Sequence, residues 1–157
     1  MKYPQWRDKL IRLRGYFYKG IMKDILYHLI GLNQYIAQYH WLASGYENHI
    51  LADKLADGLD DEIDELAELL LATENNENDF TAKELLVKSQ QTVENAYTGT
   101  DMAETLKSLA ELFGKILILC ERENENDITK LAFADFRGRL SNSILRKLYL
   151  IQIQLKK

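Results

Sequence analysis

HWLASGYENHILADKLADGLDDEIDELAE, residues 40–68, holds metal-capable side chains at helical spacing: His49 with Asp53, then Asp64 with Glu68. Each pair is one turn apart, so its two side chains share a face. About three turns separate the pairs, roughly 16 Å at ~1.5 Å rise per residue, too far for either to complete the other's coordination shell. A second copy of the helix must supply the missing half. The spacing is self-complementary: if two such helices run antiparallel and cross between Gly58 and Leu59, His49 faces the partner's Glu68 and Asp53 faces the partner's Asp64. Both sites then form at once. A glycine at the crossing lets two backbones approach closely, at a cost of roughly 1 kcal/mol of helix propensity. Leu51, Leu55, Leu59, Leu66 and Leu70 form a separate apolar stripe. Away from it, Asp53, Asp57, Asp60, Asp64 and Glu68 also fit an ordinary solvated acidic face. The histidine and the paired spacing favour metal.

The same stretch resembles the DNA-protection-during-starvation (Dps) proteins, the dodecameric branch of the ferritin superfamily. In that family a His-Trp pair ends the first helix, matched here by His40-Trp41. After a short loop the second helix carries His-x-x-x-Asp and then Asp-x-x-x-Glu, matched by His49, Asp53, Asp64 and Glu68. The resemblance implies an all-α, ferritin-like four-helix bundle assembling as a hollow homo-oligomer, a dodecamer in the family. It implies a ferroxidase that oxidises Fe(II), with hydrogen peroxide as oxidant, and stores ferric iron. His49, Asp53, Asp64 and Glu68 would be both metal ligands and catalytic residues. One position departs: three residues before His40, where the resemblance leads to a further ligand histidine, stands Ala37. A nitrogen ligand is then missing, and water or a nearby side chain must take its place.

Outward from this stretch, the pattern predicts four long helices, with a short extra one in the connection between the second and third. The first runs from about Tyr16 to Leu42, with Ile21, Ile25, Leu29, Leu32 and Ile36 in period. Ser44 and Gly45 break it, and a single second helix covers Tyr46 to Ala72. Thr81 can cap the short helix, to about Asn95, and Tyr97 to Thr100 forms a loop. The third helix runs from about Asp101 to Cys120 through Met102, Leu106, Leu109, Phe113, Ile116 and Leu117. Glu121 to Asn126 is an acidic loop. Asn126 or Asp127 caps the last helix, with Leu131, Phe133, Leu140, Ile144, Leu148 and Ile151 in period. One lengthy connection between helices two and three suits a ferritin-like bundle.

At 157 residues, 46% hydrophobic and with a single proline, the chain can bury one sizeable core. The domain reading is a basic tail over 1–15 and the bundle over 16–157. Charge is uneven: residues 1–23 carry seven Lys or Arg against Asp8, +6 in all, leaving −10 for the remainder. Lys2, Arg7, Lys9, Arg12 and Arg14, interleaved with Tyr3, Trp6 and Leu10, could contact DNA phosphates without sequence preference. Equally, Leu10, Leu13 and Phe17 continue the first helix and leave the basic residues solvated. The longest apolar run, Ile116 to Cys120, is far short of the ~20 residues of a membrane span. With charges where a signal peptide needs an apolar stretch, the expected location is cytoplasmic. Cys120 is the lone cysteine and reads as a core residue.

Iron accepts imidazole together with carboxylates, which neutralise charge as Fe(II) becomes Fe(III). No histidine has a glutamate three residues before it, which argues against the common ferritin centre inside one bundle. His40 would orient a ligand from outside the coordination shell or simply hydrogen-bond at a helix end. His28, with Asp24 one turn earlier, reads as a structural pair. Trp41 would pack over the site or fill the interface between copies. Glu121, Glu123, Glu125 and Asp127 would line an acidic iron path into the shell. The rival function is the same shell without efficient ferroxidase activity, as an interaction or DNA-binding protein.

Overall fold

Apolar residues recurring at three and four place a stripe on each long segment, and those stripes meet. The computed structural model describes residues 5–74, 77–121 and 128–157, with side chains over 20–73, 78–121 and 131–157. Among the described residues every regular element is helical: α1 (Gln5–Leu42), α2 (Tyr46–Ala56), α3 (Leu59–Glu74), α4 (Ala82–Thr92), α5 (Met102–Glu121) and α6 (Ile128–Leu155). A 3-10 turn at Glu77–Phe80 precedes α4. α1 packs against α2, α3, α4 and α5, while α6 packs against α2, α3 and α5, closing a ring around the core. Leu29, Ile36, Leu55, Leu66, Leu109, Phe113, Phe136 and Ile144 fill it.

Cross-helix contacts give each helix a direction. Asn33 Nδ2 donates to Asp60 Oδ1 at 3.0 Å, His40 lies against Asp53, and Lys23 reaches Asp79. Going forward on α1 is therefore going back along α2 and α3. α6 is antiparallel to them as well: Arg139 grips Glu65, Lys147 Nζ donates to the Asp57 carbonyl at 2.6 Å, and Lys157 reaches Glu47 at 3.2 Å. The step from Arg139 to Lys147 equals the step back from Glu65 to Asp57, and that from Lys147 to Lys157 equals that from Asp57 to Glu47. One register holds across both helices. The Tyr35 hydroxyl donates to the Tyr97 carbonyl at 2.7 Å, and the Tyr97 amide donates to Ser108 Oγ at 3.0 Å. The connection thus climbs from the level of Lys23 back to that of Tyr35, α5 then runs in the sense of α2 and α3, and α6 returns.

Where α4 crosses α1, a Cβ on Gly31 would collide with Thr92 Oγ1 and sit 2.8 Å from the Ser89 carbonyl. A glycine there is a condition of the close crossing. α4 begins as predicted, the Glu84 amide donating to Thr81 Oγ1 at 3.3 Å. Asp101 Oδ1 accepts from the Glu104 amide at 3.0 Å and starts α5.

The structure differs from the sequence reading in three places. The second helix is not continuous: Asp57 (φ −58°, ψ 125°) and Gly58 (φ +80°) form a turn of type II character between α2 and α3. Gly58 serves that left-handed conformation, with the nearest atom to its would-be Cβ being Glu62 Oε1 at 3.9 Å. Leu131, placed in a core stripe by its spacing, is 72% exposed. α1 starts at Gln5 rather than near Tyr16, in keeping with the alternative that Leu10, Leu13 and Phe17 continue the first helix. The basic side chains of that stretch lie outside the described residues, as do Glu123, Glu125, Asn126 and Asp127. Among the described residues, no helix is long and apolar enough to cross a membrane.

Candidate metal centre

The corner between α1 and α2 is tied by polar bonds that orient the first half of the site. Tyr39 is buried, and its hydroxyl donates to Asn48 Oδ1 at 2.6 Å, while Asn48 Nδ2 donates to the Ser44 carbonyl at 2.8 Å. Burial pushes the Tyr39 hydroxyl up to about 12, so it remains a donor at neutral pH. Gly45, at φ +85°, turns the chain into α2. Leu51, Ala52 and Leu55 face the core, which leaves His49 and Asp53 outward.

His40 joins them. Its Nδ1 lies 3.2 Å from Asp53 Oδ1, with side-chain exposures of 38% and 67%, and its ring centroid is 5.2 Å from that of His49, edge to face. The sequence reading put His40 outside the coordination shell or in a helix-end hydrogen bond and expected a nitrogen to be lacking at Ala37. In the fold, a second imidazole stands beside His49 and Asp53. Its signal was the loop length: with only 43–45 between α1 and α2, the last turn of α1 abuts the first turn of α2.

Asp64 and Glu68 lie exposed on α3, beyond the Asp57–Gly58 turn. The structure does not bring them to the His49 and Asp53 end. Among the described residues, no three His, Cys, Asp or Glu side chains of one chain converge on a metal position. Because the turn separates α2 from α3, the straight-rod geometry drawn from the sequence does not describe the distance between the half-sites. Each half rides on its own helix.

Between them lies a polar node that the sequence reading missed. Lys147 of α6 is 6% exposed; burial pulls its ammonium down from the ordinary lysine value, against the opposing pull of Glu62 and Asp57. Burial likewise raises Glu62, opposed by Lys147 and by a hydrogen bond with Ser143. Glu62 Oε2 is buried without a hydrogen bond. A signal was present: Lys147 occupies a core position in the series Leu140, Ile144, Ile151, as Glu62 does in the series Leu55, Leu59, Leu66. Nearby, on the surface, the Arg139 hydrogen bond lowers Glu65.

The remaining candidates are structural. His28 Nδ1 lies 2.7 Å from the carbonyl of Asp24, so the ring serves its own helix. Cys120 is 8% exposed, with burial pushing its thiol up to about 11. Trp41 is 70% exposed and Tyr46 80%, beside the half-site. Set against family models of proteins, curated proteins and solved structures, the chain finds no match in any of the three.

Proposed function

We propose that this chain is the subunit of a Dps-like, ferritin-like shell that oxidises Fe(II) at sites shared between two copies and stores the ferric product. The observation that carries the reading is the gathering of His40, His49 and Asp53 on one exposed surface, with Asp64 and Glu68 exposed farther along. Two antiparallel helix pairs joined by a long crossover support the ferritin-like bundle, since that class has one such connection. Fe(II) is the substrate. His49 and Asp53 would hold it from one copy and Asp64 and Glu68 from the other, with the His40 imidazole orienting the Asp53 carboxylate. With hydrogen peroxide, two Fe(II) each give one electron and the O–O bond breaks; two protons are taken up and two waters form. The carboxylates offset the charge gained by the metal.

Iron oxidation followed by absorbance, on assemblies checked by sedimentation, tests this. Asp53→Ala and Glu68→Ala should each slow Fe(II) oxidation by about tenfold or more, leaving assembly intact because both side chains point away from the core. Wild-type rates no faster than buffer, and unmoved by these substitutions, would leave the second reading, a shell without ferroxidase activity, which Ala37 favours.

A further inference from the structure

α2 carries His49 and Asp53, α3 carries Asp64 and Glu68, and a two-residue turn joins them. Such a turn leaves the angle between two helices soft, because small dihedral changes swing one helix as a lever. Glu68 lies about 15 Å beyond Gly58 at ~1.5 Å per residue, so a swing of about ten degrees moves it by roughly 2.6 Å. Metal coordination tolerates only about 0.2 Å. Core packing on α1 holds the two helices side by side, and a tie at the turn itself is needed to set the angle this closely.

α6 runs unbroken past the turn and ties to both sides. Its end ties, Lys157 to Glu47 and Arg139 to Glu65, are exposed, where ion pairs contribute little. Lys147 is different: it is buried, its Nζ donates to the carbonyl of Asp57 in the turn itself, and half-buried Glu62 of the first turn of α3 lies within its field. We propose that Lys147 is a positioning residue for the shared metal site, fixing the α2–α3 angle by holding the Asp57 carbonyl of the turn, so that the half-sites of two copies can meet. The role rests on the metal-site reading above. Lys147 itself touches neither metal nor reacting atoms.

The test uses the full chain and Co(II) alone as probe, read by its visible absorption, on proteins matched for helix content and sedimentation. Lys147→Met with Glu62→Met removes the donor to the turn carbonyl together with the nearby carboxylate, so that neither charge is left unopposed. The folded, assembled double variant should bind Co(II) about tenfold more weakly, and Lys147→Arg should stay within about twofold of wild type. As a control, Leu109→Ala in the core of α5 should lower the thermal midpoint without moving Co(II) affinity. A double variant with wild-type affinity, or one that loses Co(II) only together with assembly, overturns the positioning role and leaves the metal site standing. Wild-type protein that binds no Co(II) overturns the metal site and this role with it.

Discussion

His40 and Asp53 belong to helices that meet at a corner, and their 3.2 Å contact exists because Tyr39, Asn48 and Ser44 fix that corner from behind. His40→Ala should therefore weaken Co(II) binding by about tenfold in titrations of the assembled protein. His28→Ala should leave it unchanged, since that ring bonds within its own helix. Cys120 gives a second residue-scale expectation. With its thiol at about 11, only about one molecule in ten thousand carries a thiolate at pH 7. Alkylation of the native protein should be slow and should accelerate sharply on unfolding. An equal rate in both states would contradict the burial. His49, Asp53, Asp64 and Glu68 stand out by spacing alone, and the fold leaves all four exposed but in two groups on separate helices. The contact of His40 with Asp53 fits its reading as a residue that orients a ligand, whereas its approach to His49 depends on a three-residue loop whose path no periodicity encodes.

At the scale of helices, the stripes in the sequence located most core positions but not Met22, Leu26, Tyr35, Tyr39, Ala52, Leu112 or Phe136, and the Thr81 cap was legible in its side chain. The break at Asp57–Gly58 escaped notice because the leucine spacing continues through it, so the apolar pattern looks the same for one helix or two. Gly58→Ala, forced into a left-handed conformation, should destabilise the protein by about 1 kcal/mol in urea unfolding. Gly31→Ala should cost about 1–3 kcal/mol, because the added methyl meets Thr92 and the Ser89 carbonyl. The α3–α6 node sets a pH dependence. Burial raises Glu62 above 4.5, so the folded state binds more protons there than the unfolded state, and stability falls as pH rises from about 4.5 through the folded value. Glu65, lowered by Arg139, acts in the opposite sense, contributing stability that is lost as pH falls below 4.5. Relative to wild type, Glu62→Gln should gain stability as pH increases across the carboxylate range; a flat difference would argue against the buried carboxylate.

For the whole molecule, a site divided between copies predicts assembly, and sedimentation at micromolar concentration and neutral pH should show an oligomer. A monomer there would remove both the shared site and the shell. DNA contact through the basic segment would show as a gel shift at low salt that fades steeply as salt is added and disappears when residues 1–14 are deleted. Unchanged binding by the truncated protein would assign it elsewhere. The register along α6 also bears on how the chain is made. Its ties to α3, the turn and α2 span 74, 90 and 110 residues. During translation, therefore, the N-terminal helices emerge long before the helix that ties to both of them, and contacts of such sequence range form late. The α2–α3 face that α6 ties together cannot take its final form on the ribosome until the last helix has left the exit tunnel. A fragment ending at residue 127 should therefore retain helix yet melt without a cooperative transition.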